Sequence, residues 1–298
     1  MKFEHVNCNI CGLDRARDIG KRKSPNRDPG LETNIARCTH CGLLYPNPMP
    51  LFTKAEMQGN FKSPEKYFSP NLETRLKFFR NVLCELEKMK PGKGRMLDVG
   101  CGRGEFLYVA REKGWKAIGT DISEAFVDYA RSKFSVDALT GDLEDIDLER
   151  NSFDAASLIS VIQYVQNPSG TLKKINSVLK ENGILYIEVT NEDALVFKIG
   201  DFFKNLKEKR KITTRLSPLF PSFQIYGFGK ESLKNALESA GFKVCRVKTG
   251  GLFGGGRLPG RGPGNAMLNF ARKIVIFIGG LTGNGHLIFC IAKKGRME

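Results

Sequence analysis

Residues 95–107 read Arg95-Met96-Leu97-Asp98-Val99-Gly100-Cys101-Gly102-Arg103-Gly104-Glu105-Phe106-Leu107. Met96 to Val99 is a short apolar run that breaks at three alternate glycines, and a helix starting near Glu105 follows. That is the strand, glycine turn, helix order of a nucleotide-binding βα unit. A dinucleotide fingerprint needs its third glycine three positions after the second, yet in the register that begins at Gly100 that position is Glu105 and in the register that begins at Gly102 it is Leu107. An acidic Glu105 in the first helical turn also opposes a pyrophosphate at that helix N-terminus. The turn therefore suits a phosphate-free ligand, met by bare backbone and by carboxylates that face hydroxyls and an ammonium group.

The order Asp98, Gly100, Gly102, Gly104, then Asp121 in KAIGTDIS, then Asp142 in LTGDLED resembles motifs one to three of the class I S-adenosylmethionine-dependent methyltransferases, across about residues 66 to 294. The resemblance implies an α/β fold, a Rossmann-like, mostly parallel sheet of seven strands with helices on both faces. It also implies that the backbone of Gly100, Cys101, Gly102 and Gly104 packs on the methionine and sugar of S-adenosylmethionine, with Asp98 near the ammonium. Asp121 would hold both ribose hydroxyls, Ile122 would lie against the adenine, and Asp142 with Leu143 would meet its amino edge. Ser160, at the end of a later strand, is counted in the same cofactor set.

The N-terminal region carries a second pattern. Cys8-Asn9-Ile10-Cys11-Gly12 and Cys38-Thr39-His40-Cys41-Gly42 are matching knuckles, in which the two-residue spacing turns both thiolates toward one ion and the glycine relieves the backbone. Cys8, Cys11, Cys38 and Cys41 thus predict a closed, structural zinc site, with His40 as an alternative ligand and a redox pair as the alternative chemistry. The stretch between the knuckles is expected to loop outward. For Cys84, Cys101, Cys245 and Cys290 a buried, inert thiol is the ordinary expectation. The prolines of CGLLYPNPMP mark a boundary, giving a zinc-ribbon domain at residues 1–50, a linker at 51–70 and a methyltransferase domain at 71–298. This pairing of ribbon and core resembles bacterial proteins that tailor polysaccharides, lipids or small metabolites.

Within 298 residues of 41% hydrophobic content there is room for such a domain plus a small appendage. The N-terminus shows no apolar leader, and the run Ile274 to Leu281 falls far short of the ~20 residues that span a bilayer, so the expected compartment is the cytoplasm. The net charge of +15 is uneven: +6 over residues 1–90, −3 over 91–190 and +12 over 191–298. A basic C-terminal third favours an anionic small-molecule or glycan-intermediate acceptor, or RNA, with a merely solvated face as the alternative.

Leu72, Leu76, Phe79, Val82, Leu83 and Leu86 predict an amphipathic helix ahead of the first sheet strand, lidding the cofactor. Strands follow at 95–100, 116–121, 136–140, 153–160 and 183–189, and helices at 105–113, 124–133 and 169–179. GKESLKNALESAGFKVCRVKTG supplies another helix and strand, and HLIFCIAKK a last strand that the family inserts antiparallel. Residues 250–264, rich in glycine, read as a loop. Ala266 to Leu281 reads as a packed helix, or alternatively as a helix in peripheral contact with a membrane surface. Between residues 191 and 221, Val196, Ile199, Phe202, Phe203 and Leu206 alternate with Lys204, Lys207, Lys209, Arg210 and Lys211, a basic cap over the substrate pocket.

Methyl transfer from a sulfonium needs alignment more than a strong base. The chain has three histidines, His5, His40 and His286. Where the family commonly places histidines, this sequence has Tyr164 in Val161-Ile162-Gln163-Tyr164 and Gln224 in Gln224-Ile225-Tyr226-Gly227-Phe228. Tyr164, Gln224 and Tyr226 are therefore the acceptor-positioning candidates, with Tyr164 or Glu188 relaying a proton. The leading expectation is methyl transfer to a small anionic acceptor. An RNA methyltransferase using ribbon and basic third, and a scaffold that binds cofactor without turnover, are the alternatives.

Overall fold

A computed structural model describes residues 2–22, 33–51, 56, 64–67, 71–208, 211–216, 224–250 and 266–295, with backbone only at 66–67, 207–208 and 266–273. The strands are β1 (Lys2–Glu4), β2 (Ala16–Arg22), β3 (Asn34–Cys38), β4 (Leu44–Pro46), β5 (Met49–Leu51), β6 (Arg95–Val99), β7 (Lys116–Asp121), β8 (Asp137–Thr140), β9 (Phe153–Ile159), β10 (Leu179–Thr190), β11 (Ile212–Thr213), β12 (Phe242–Gly250) and β13 (Leu287–Lys294). The helices are α1 (Pro64–Tyr67), α2 (Leu72–Met89), α3 (Glu105–Glu112), α4 (Glu124–Phe134), α5 (Pro168–Val178), α6 (Leu195–Glu208), α7 (Lys230–Ser239) and α8 (Ala266–Leu281).

Seven strands form the main sheet in the order β12-β13-β10-β9-β6-β7-β8. Pairs β10-β9, β9-β6, β6-β7 and β7-β8 are parallel, whereas β13 runs antiparallel between β10 and β12. This is the expected Rossmann-like α/β sheet. Period-two alternation sorts its side chains: Met96, Ala155, Ile184 and Tyr186 join the core under α2 and α3, while Leu97, Ala156, Leu185 and Ile187 join the core under α5 and α7. Helix α2 starts at Asn71, whose side chain accepts from the Thr74 amide at 3.0 Å, and it buries Leu76, Phe79, Val82, Leu83 and Leu86.

The N-terminal sheet packs directly on the main domain. Its order is β11-β2-β3-β4, so a strand from the expected cap completes it, with Ile212 and Thr213 parallel to Lys21 and Arg22. Cys8, Ile10, Leu43 and Tyr45 belong to the same apolar cluster as the sheet and α7. Leu44 and Gly227 exchange backbone hydrogen bonds of 2.8 and 3.0 Å.

One expectation needs correction. Cys84 and Cys245 are exposed, Cys84 because it lies outside the buried stripe of α2, and Cys245 because it sits at the register shift of the edge strand β12. On α6, Phe202, Phe203 and Leu206 of the apolar stripe are exposed. Among the described side chains of α8, Ile276 is buried and Ile274, Phe277, Ile278 and Leu281 are exposed. The expected outward arm, the loop at 251–264 and most of the linker lie outside the described residues, as do Lys209 and Arg210.

Candidate active site

The site forms where the carboxyl ends of β6 and β7 meet the N-terminus of α3. The amides of Gly100 and Cys101 donate to the Thr120 carbonyl at 2.7 and 3.0 Å, which folds the glycine turn back onto β7. Gly100 has φ +70°, and a side chain there would run into Val161; Gly104 has φ +80° and lies too close to Ala130 for a Cβ. Asp121 is held from both sides, Oδ2 accepting from the Gly102 amide at 2.9 Å and Oδ1 from the Ser123 amide at 2.9 Å. Burial raises its pKa against those two bonds. The Gly141 amide donates to the Asp121 carbonyl at 2.9 Å, which brings the Asp142-Leu143 pair alongside. Asp142 accepts from the Glu144 amide at 3.2 Å, Leu143 is buried, and Ile122 is half-buried.

Asp98 is buried, with the Ser157 hydroxyl donating to it at 2.6 Å. Burial, reinforced by the Asp121 and Glu105 carboxylates, pushes its pKa up to about 7 against the Ser157 bond. Glu105 is not the bare negative charge that the sequence suggests. Arg75 Nε donates to it at 3.1 Å and Arg103 Nε at 2.8 Å, so two guanidinium groups neutralise it and the electrostatic objection to a phosphate weakens. The register of the glycines remains the stronger argument. Cys101 is buried and its thiol is driven well up by burial, which leaves it inert.

At the neighbouring strand ends, Ser160 adopts φ +59°, and its hydroxyl donates to Glu188 Oε1 at 2.8 Å. Glu188 is buried, its pKa is pushed up by burial to about 7, and its Oε2 meets no hydrogen-bond partner among the described residues. Gln224 Nε2 donates to Thr190 Oγ1 at 3.1 Å. The amides of Ile225 and Tyr226 donate to the Gln163 carbonyl at 2.9 and 3.1 Å, and the Tyr226 hydroxyl donates to the Gln166 carbonyl at 3.2 Å. Tyr226 is a packed residue whose ionisation burial opposes. Tyr164 is half-buried in the turn after β9. Arg75, Arg103 and Ser157 escaped the sequence reading. A serine inside the apolar strand Phe153–Ile159 was the one available signal, whereas nothing local marks Arg75.

Cys8, Cys11, Cys38 and Cys41 bring their sulfurs within 4.8 Å of one another, with Cys8 and Cys41 at 3.3 Å and Cys11 and Cys38 at 3.6 Å. A tetrahedral zinc site with bonds of ~2.3 Å separates its sulfurs by about 3.8 Å, so the donor set fits that ion. Gly12 and Gly42, at φ +72° and +82°, close the knuckles by donating to the Cys8 and Cys38 carbonyls. His40 is exposed and outside this group. A cleft of about 380 Å³ beside the second knuckle is lined by Arg17, Arg37, His40 and Glu231 among others, and shares no residue with the glycine turn.

A family profile described as a methyltransferase domain matches residues 71–247, more than half of the chain. The chain belongs to the class I S-adenosylmethionine-dependent methyltransferases. YqeM of Bacillus subtilis, assigned as a methyltransferase, is 32% identical over 126 residues, 40% of this chain and 49% of that protein. The demethylmenaquinone methyltransferase of Staphylococcus aureus is 29% identical over 181 residues, 53% of this chain and 72% of that protein. The chain thus spans about half the length of the first and nearly three quarters of the second. A chain in the complex between the Haloferax volcanii Trm112 methyltransferase activator and its candidate methyltransferase superposes with a TM-score of 0.60 at 17% identity, covering 81% of this methyltransferase and 99% of that chain. At that identity the likeness is one of fold.

Proposed function

We propose that this protein transfers a methyl group from S-adenosylmethionine to a small anionic acceptor, a metabolite or glycan or lipid intermediate. The observation that carries the reading is the grip on Asp121, whose two oxygens are aimed by the Gly102 and Ser123 amides and keep lone pairs for a vicinal diol. Asp98 would meet the ammonium group, and the Gly100 to Gly104 backbone, where side chains do not fit, would take the methionine and sugar. Ile122, Asp142 and Leu143 would take the adenine. When bound, S-adenosylmethionine supplies an electrophilic methyl on a sulfonium that leaves readily. Zinc held by the four knuckle cysteines would serve the ribbon structurally.

On the acceptor side, Glu188 is the proton-handling group best supported by the geometry. One oxygen is fixed by Ser160, the other is unengaged among the described residues, and burial pushes its pKa up to about 7, where a general base works best. Gln224 and Tyr226 are occupied by Thr190 and Gln166, so they hold the wall of the pocket, with Tyr164 beside it. The basic third would draw in an anion.

The test is turnover with S-adenosylmethionine against pools of anionic metabolites, lipid and glycan intermediates and RNA, scored by release of S-adenosylhomocysteine. Glu188→Gln should lower kcat by about 10²-fold or more while the S-adenosylmethionine Kd stays unchanged. The wild-type rate should rise with pH through about 7, as Glu188 deprotonates. Turnover with RNA alone would reject the small-acceptor reading. An unchanged kcat in Glu188→Gln would remove Glu188 from the mechanism.

A further inference from the structure

Among the described residues, exposed large apolar side chains concentrate on two helices. Phe202, Phe203 and Leu206 of α6 are 63–70% exposed, and Ile274, Phe277, Ile278 and Leu281 of α8 are 43–74% exposed. At 100° per residue, each set falls within one arc of its helix. The opposite side of α8 holds it in place, since Ile276 is buried and Gly279 sits against the Asn284 backbone and Leu195 with no room for a side chain. Helix α6 is anchored at its start by the Leu195 amide on the Asn284 carbonyl and by the Phe197 ring, 5.3 Å from that of His286. The two helices contact each other, so both exposed arcs belong to one helical pair.

A soluble monomer rarely leaves such a face to water. Charge surrounds it rather than interrupting it: the stretch Ile274 to Leu281 has no ionisable residue, Lys198, Lys204 and Lys211 are exposed on or just beyond α6, and residues 191–298 carry +12. We infer that the α6–α8 face docks on an anionic lipid surface, its aromatic and branched side chains entering the headgroup boundary while the lysines meet lipid phosphates. No described helix is long and apolar enough to cross a membrane, but helices of 14 and 16 residues suit one that lies in the interface. A second copy fits this face poorly, because pairing would bring two such +12 segments together.

Flotation of the full chain with vesicles of phosphatidylcholine, with and without phosphatidylglycerol, tests the inference. The protein should float with the anionic vesicles. A Phe202→Ser/Phe277→Ser variant, altered only at exposed positions, should bind at least about tenfold more weakly, and Lys198→Gln/Lys204→Gln several-fold more weakly, with high salt weakening the wild type. Thermal midpoint and S-adenosylmethionine binding of each variant report on the fold. Absence of binding to anionic vesicles overturns the inference, as does equal binding by the folded Phe variant. So does a wild-type dimer in sedimentation that the Phe variant converts to monomer.

Discussion

Asp98 concentrates the electrostatics of the site in one carboxyl. Its pKa of about 7 lies well above the ordinary value of 3.8. A raised carboxyl pKa in the folded state stabilises the ligand-free protein fully below the unfolded pKa, and that contribution is lost as pH rises through about 7. Glu188 and Glu192, also pushed up to about 7 by burial, act in the same direction. The ligand-free thermal midpoint should therefore fall from about pH 4 to about pH 7 and level off above, and Asp98→Asn should reduce that slope. An ammonium ligand needs the ionised form, so wild-type affinity for S-adenosylmethionine should strengthen over the same interval by calorimetry. Asp98→Asn should show weaker affinity, by about tenfold, with no such trend. Asp98 and Asp121 were legible in the sequence because a glycine turn and its flanking strands are local. The Arg75–Glu105–Arg103 arrangement was not, because Arg75 comes from a helix thirty residues away and only the packed structure brings it to α3.

The elements follow hydrophobic period closely where one face is buried. In α2, Leu83 is fully buried and its neighbour Cys84 is exposed. Leu83→Ala should cost about 2–5 kcal/mol in denaturant unfolding, whereas Cys84→Ser should stay within about 0.5 kcal/mol of wild type; a similar cost at both positions would contradict this helix orientation. The sheet strands were legible for the same reason, to within a residue or two, except that β10 begins earlier than expected and continues through Asn182 and Gly183. The faces of α6 and α8 show where periodicity stops informing. A stripe of apolar residues says that something must cover it, but not that a sheet of the same chain will do so.

At the scale of the molecule, the ribbon and the segment proposed to wall the acceptor site are one structure. Buried Arg22, at the end of β2, donates to the carbonyls of Leu216 and Gln224 at 3.3 and 3.0 Å, and Arg37 pairs with Asp193 at 2.6 Å. If the four cysteines hold zinc as proposed, stripping it with a chelator, or replacing Arg22 by Met, should therefore raise the acceptor KM severalfold while leaving S-adenosylmethionine affinity close to wild type, because β6, β7 and the glycine turn lie outside these contacts. Equal losses in both would instead indicate global unfolding. None of this was legible in the sequence, since a two-residue strand such as β11 carries no pattern to read. That strand also bears on biosynthesis. During translation β2 and β3 emerge early, yet the partner along the outer edge of β2 is encoded about 190 residues later. The nascent ribbon must travel with that edge open until the ribosome has passed Thr213, which is the interval in which a chaperone would have something to protect.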